Sequence, residues 1–328
     1  MKRKFSLRVG LIIVLAGLTV RAAEIQPAMD WAQVPKILAR IKAPEFPKRD
    51  FVITNFGAVA DGKTDCSKAI AKAIDACAEN GGGRVIIPAG EFFTGAIHLR
   101  SNVNLHLETN AVLKFSTDPK AYLPVVFTRF EGTELYNYSP LIYALGQKNI
   151  AVTGEGTLDG QADGTNWWAW KKTPARARLV KTADENVPVT QRRFGEGGEL
   201  RPDFVEFNRC KNVLIEGVRI RRSPMWELHP LLCTNVTVRG VNIVSHGPNN
   251  DGCDPESCRD VLIENCLFDT GDDCIAIKSG RNNDGRRVNV PSENIVIRNC
   301  TMKDGHGGVT IGSEISGSCR NVFVENCQ

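Results

Sequence analysis

Three short strings hold the residues best suited to chemistry. They are "NND" at 249–251, "GDD" at 271–273 and "GHG" at 305–307. Together Asp251, Asp272, Asp273 and His306 offer three carboxylates and an imidazole. Paired carboxylates suit the hydrolysis of a glycosidic bond. One protonated carboxyl gives its proton to the leaving oxygen, and an ionised one activates water. Crowding raises the pKa of at least one member, which keeps a proton available near neutrality. Each string alone is ordinary turn chemistry. The catalytic reading requires the strings to recur on one surface of one architecture.

A repeat supplies that architecture. "CKNVLIEGVRI" from Cys210, "CTNVTVRGVNI" from Cys233, "CRDVLIENCLF" from Cys258, "SENIVIRNCTM" from Ser292 and "CRNVFVENC" from Cys319 share one pattern. Their starts are 23, 25, 34 and 27 residues apart. Weaker copies begin at Ser101 and Gln147. The alternation V-x-I or V-x-V marks strands with one inward face. No copy is long enough to bury its own face, so stacked copies must make a solenoid. No helix-length apolar stripe separates them. The expected fold is all-β: a single-stranded right-handed parallel β-helix, with handedness taken from the general crossover rule. Like positions on successive coils then lie about 4.8 Å apart, so the three strings share one patch.

Other segments take their places around the solenoid. Residues 1–22 have a basic start and an apolar run, Val9–Val20, and read as a signal peptide cut after Ala22. This predicts a secreted or periplasmic protein. Residues 23–50 are a lead-in, and 51–328 are the β-helix domain. Thr64 or Asp65 is expected to cap a helix running to about Ala78, which would cover the N-terminal end of the stack. Residues 161–203 interrupt the repeat, and a wall on the binding face is their expected place. Their Trp167, Trp168 and Trp170 suit packing better than sugar stacking. Cys210, Cys233, Cys258 and Cys319 recur at one repeat position, and Cys266, Cys300 and Cys327 at another. Such recurrence predicts buried ladders rather than a disulfide framework, with Cys253–Cys258 and Cys66–Cys77 as the pairs still able to bridge.

The formal charge is +4, but the leader carries five of the 41 basic residues and no acid. The remainder has 36 − 37 = −1. Net charge therefore gives no case for nucleic acid, and no later stretch is apolar enough for a membrane span. Lys278 follows the aspartates on a strand, with Arg281, Arg286 and Arg287 beyond it; these are candidates for binding an anionic sugar. His246, five residues before Asp251, is a candidate substrate contact, and Trp226 and His229 are candidates for lining subsites.

These strings resemble the landmarks of glycoside hydrolase family 28, the polygalacturonase-like pectinases. The matching stretches are "PNNDGCDPES", "DTGDDCIAIKSG" and "KDGHGGVTIGSE", with "FGAVADGKTDCSKAIAKAIDAC" and "SPMWELHP" before them. The resemblance covers roughly 51–328. It implies inverting hydrolysis of α-1,4-linked galacturonic acid in pectin, with no metal and no cofactor, by a protein that is a monomer when complete. It implies Asp272 as general acid, Asp251 and Asp273 as the pair that holds water, His306 as their support, and Asn249 as a substrate contact. Asn250 stands where the family has threonine. The family's R-I-K landmark is not reached before Gln328, which implies further coils beyond it. A rhamnogalacturonan or xylogalacturonan hydrolase is the alternative within the fold. A pectate lyase and a non-enzymatic adhesin are the alternatives outside that reaction. The excursion at 161–203 favours attack at chain ends.

Overall fold

The repeat becomes three stacked parallel sheets. A computed structural model describes residues 30–328, so the leader expected over 1–22 lies outside the described residues. Among the described residues, nine strands from Asp50–Val52 to Cys319–Glu325 form the first sheet, and eight from Asp61–Asp65 to Thr301–Asp304 form the second. The third runs through Ile97–His98, Ile142–Leu145, Val205–Asn208 and Leu228–Leu231. It continues by single bridges at Cys253 and Glu256 to Ile275–Ile277 and Val309–Ile311. This is the right-handed parallel β-helix that the alternation predicts.

Register follows the sequence pattern. Val213, Val236, Val261, Ile295 and Val322 stack in one column of the first sheet, and Ile215, Val238, Ile263, Ile297 and Val324 in the next. All but the last coil's members are fully buried. Burying each such side chain contributes about 1.5–3 kcal/mol.

The corners explain the small and polar repeat positions. Two residues join the first sheet to the second: Gly217 and Val218, Gly240 and Val241, Asn265 and Cys266, Asn299 and Cys300. The first of each pair has a positive φ, between 53° and 78°. Glycine and asparagine tolerate that conformation best. Cys210, Cys233, Cys258, Cys266 and Cys300, in these corners and in those leaving the third sheet, each donate the thiol to the carbonyl two residues back; Cys233 to Leu231 (3.4 Å) and Cys266 to Glu264 (3.2 Å) are examples. All eleven cysteines are free, so neither Cys253–Cys258 nor Cys66–Cys77 is a bridge. A second ladder runs along the first sheet. Asn149 donates to Asn102, Asn212 to Asn149, Asn235 to Asn212 and Asn321 to Asn294, at 2.8–3.0 Å.

The helix at the N-terminal end spans Ser67–Glu79 and buries Ala69, Ile70, Ala73, Ile74 and Cys77. Its cap residue is Cys66, not Thr64 or Asp65, and that side chain makes no cap bond. Asp65 still accepts from Ser67 N at 2.9 Å, because strand Asp61–Asp65 extends to the helix start. From residue 30 onward the lead-in is more ordered than its sequence suggests. Helix Val34–Arg40 lays Val34 and Ile37, with Ile41 just beyond, on Leu262, Val296 and Phe323 of the first sheet's outer face. Among the described residues no helix is long and apolar enough to cross a membrane.

Candidate active site

The three strings occupy the corner between the second and third sheets on successive coils. Asp251 lies between Asn242–Ser245 and the bridge at Cys253, Asp272 and Asp273 between Leu267–Thr270 and Ile275–Ile277, and His306 between Thr301–Asp304 and Val309–Ile311. Backbone hydrogen bonds join these corners: Gly252 N to Asp273 O (2.9 Å), His306 N to Asp272 O (3.0 Å) and Cys274 N to Gly307 O (2.8 Å). The glycines permit the approach. A Cβ on Gly271 would meet Gly247 O at 2.4 Å, and one on Gly305 would meet Asp272 O at 2.8 Å. Asn250, in the threonine position, is fully buried and satisfied. Its Oδ1 accepts from Ser245 Oγ and Gly247 N, and its Nδ2 donates to Ser223 O and Met225 O. It pins the corner that carries Asp251.

Asp251, Asp272 and Asp273 each offer an oxygen within 4.8 Å of the other two. Two adjacent residues and one from the neighbouring coil cannot lie far apart. A gap of about 6.5–9.5 Å between acid and base, the usual inverting spacing, is therefore not what this cluster has. Such spacing suits a shared water, and it would equally suit a divalent ion. Asp251 is 3% exposed, and its Oδ1 has no hydrogen-bond partner. Burial first, then Asp272, Asp273 and Glu314, push its carboxyl well above the usual range, against the pull of Lys278. Asp272 opens more to solvent. Its Oδ1 lies 3.0 Å from His306 Nδ1, and its Oδ2 accepts from Asn249 Nδ2 at 3.3 Å.

The three aspartates line a cleft of about 320 Å³, with Asn249, Trp226 and Lys278, whereas the exposed His306 is not in its lining and touches it through Asp272. Lys278 is buried, and its ammonium is committed. It donates to Gly312 O at 2.9 Å, pairs with Glu314 at 3.2 Å and lies 3.8 Å from Asp251. It therefore acts on Asp251 from below. Burial alone would lower its pKa, but Asp254, Glu314 and Asp251 raise it. His246 does not line the cleft. It follows the second-sheet strand directly and pairs with Asp269 of the next coil at 2.8 Å. His229 is fully buried between Asp203 and Glu256, while Trp226 above it reaches the cleft. Arg281 lines the cleft and bonds Glu131 and Glu314. Arg286 and Arg287 bond Asn283 and Glu134 outside it.

Sequence reasoning missed the opposite wall. Glu131 sits at the tip of an antiparallel hairpin, Val126–Phe130 with Thr133–Asn137, and both Glu131 and Gly132 have positive φ. Two alternating runs around a Glu-Gly pair were the available signal. The excursion at 161–203 supplies Lys171 and Arg176 to the same cleft. Its tryptophans are packing groups: Trp167 is 1% exposed and lies edge-on to Tyr122 and Trp170.

A family model described as Glycosyl hydrolases family 28 matches residues 77–328. The chain belongs to that family. A solved hyperthermoactive exopolygalacturonase from Thermotoga maritima is 50% identical, with a TM-score of 0.89, over 92% of this chain and 70% of that one. A family 28 exopolygalacturonase from Yersinia enterocolitica is 25% identical, with a TM-score of 0.71, over 86% of this chain and 54% of that one. A probable polygalacturonase of Vitis vinifera is 31% identical over 84% of this chain and 53% of its own length. The chain spans about half the length of the curated relatives it matches.

Proposed function

We propose that the protein hydrolyses α-1,4-galacturonosidic bonds of pectic galacturonan, from chain ends. One observation carries this reading: three carboxylates from adjacent coils meet in one cleft, and the most buried of them keeps an unpartnered oxygen. That oxygen, Asp251 Oδ1, is a seat for the attacking water, with Asp273 as its second holder. Asp272, open to the cleft and backed by His306, delivers the proton to the leaving oxygen. The protons belong to the cluster rather than to one member, so the proton favoured on Asp251 reaches Asp272 within the same group. Attack by a held water inverts the anomeric centre. Chain-end attack is supported by the hairpin and the excursion, which wall the cleft, and by the similarity to the Thermotoga and Yersinia exopolygalacturonases. Export through residues 1–22 fits a polymeric substrate. Reducing-sugar release from polygalacturonate, with chromatography of the products, tests the reading. Galacturonate monomer should dominate early, and viscosity should fall slowly. A product that absorbs in the ultraviolet would indicate elimination instead, and product NMR reads the anomer first formed.

A further inference from the structure

The excursion does more than close one end of the cleft. Its 3-10 helix Trp167–Lys172 is anchored by Trp167 in the core and by Trp168, whose Nε1 donates to Ser223 O at 2.8 Å. Helix Ala175–Asp184 is held by buried Ala175, Leu179 and Ala183. Lys171 lies in the last turn of the first and Arg176 in the first turn of the second, so two cations project from a fixed platform into the cleft.

Their donors are not used up. Among the described residues Lys171 Nζ donates to Asn249 Oδ1 alone, at 2.5 Å. Arg176 uses Nε toward Glu131 at 2.5 Å, and its side chain is 48% exposed. The other two cations of the cleft are committed. Arg281 is held by Glu131 and Glu314, and Lys278 by Gly312, Glu314 and Asp251. An ammonium with two free N–H groups and a guanidinium with a free planar edge together suit a carboxylate. A carboxylate beside three aspartates needs such compensation.

We infer that Lys171 and Arg176 form a carboxylate-recognition site, one that distinguishes a free uronic acid from its methyl ester. The inference rests on the galacturonan reading above. It makes the excursion a selector of substrate charge as well as a wall.

Calorimetric titration of the 328-residue chain with trigalacturonate and with its methyl ester tests this. Lys171→Met and Arg176→Gln should each weaken acid binding about tenfold, and the double variant about a hundredfold, since a hydrogen bond to a charged group is worth about 1.5–3 kcal/mol. Ester binding should change less than twofold. Arg176→Lys, which keeps the charge beside Glu131 and loses the fork, should fall between wild type and Arg176→Gln. Arg320→Gln, on the first sheet, is the control. Equal loss of acid and ester binding, or unchanged acid binding, would overturn the inference and leave the hydrolase reading standing. A wild-type chain that binds neither ligand would overturn both.

Discussion

Two groups of carboxylates with a histidine, one on the third sheet and one at the corner leading into it, have opposite characters. In the buried group, Tyr143, Glu206 and His229 stand in one register column. His229 is held by Asp203 at 2.7 Å and Glu256 at 3.0 Å, and Glu256 by Arg129 at 2.8 Å. In the cleft group, His306 is 74% exposed and Asp251 has an oxygen with no partner. The residue types are alike. The buried set has internal partners and neutralising charge, whereas the cleft set leaves room for a partner from outside. The two sets differ in pairing and in access to solvent, not in residue type.

The sharpest way to break this contrast is to neutralise one carboxylate of the cleft. Asp272→Asn should lower reducing-sugar release by about 10²–10⁴-fold, the usual worth of general acid catalysis, with an unchanged melting midpoint. Near-normal turnover would remove Asp272 from the acid role. In the buried group the effect should fall on stability. His229→Ala strands Asp203 and Glu256, and removing one partner of a buried pair costs about 3–5 kcal/mol; denaturant titration reads it. His306→Ala should do the reverse, costing activity about 10–100-fold through one charge-assisted bond, with no change in denaturation midpoint.

The pH dependence sharpens the same contrast. Burial would lower the His229 pKa, but hydrogen bonds and charge from Asp203 and Glu256 raise it from 6.5 to about 10. Its contribution to stability is full below pH 6.5 and is lost as pH rises through about 10. Burial raises Glu206 to about 7 from 4.5, so its contribution is likewise lost with rising pH. Glu256 is opposite. Arg129 and His229 overcome burial and lower it from 4.5 to about 2, so its contribution is lost as pH falls through about 2. The melting midpoint should therefore fall on both sides of weakly acidic pH. The gap between wild type and His229→Gln should narrow as pH approaches 10. A gap that stays constant from pH 6 to 10 would mean that His229 is not held charged. The smallest effect is expected from Asn249→Ala. It removes the amide donor to Asp272 Oδ2, and it should shift the pH profile of activity and slow turnover severalfold.

Most of the fold was legible because it is local and repeated. The alternating V-x-I pattern, the Asn or Gly corners and the small cysteine positions each recur once per coil, so one copy corroborates another. The shared position of the candidate residues was legible for a related reason: Asp251, Asp272, Asp273 and His306 keep the same place relative to the repeat. What did not recur could not be read. His246 sits near Asp251 in sequence, but the chain turns between them, and it pairs with Asp269 instead. Lys278 lines the cleft as expected, but its ammonium is engaged by Gly312 and Glu314, which no sequence pattern announces. The opposite wall comes from single-copy segments, the hairpin at Val126–Asn137 and the excursion. Their positions depend on tertiary packing of Trp167 and Leu179 that no periodicity announces.

The two-residue corners also decide where this architecture can change length. From Gly154 onward every passage between the first and second sheets has the same two residues, the second of them buried. An added residue there would turn inward side chains outward for the rest of the coil. The passage into the third sheet has no such restriction. It holds four residues at Gly271–Cys274 and a whole helical subdomain between Asp159 and Val205. Insertions stand at the edge that carries the aspartates, and also at the passage back to the first sheet, where helix Asn282–Val288 lies. A lineage that gains or loses segments on this scaffold edits the rim of its own cleft, and a protein engineer seeking new polymer preferences would graft at that edge while leaving the coils untouched.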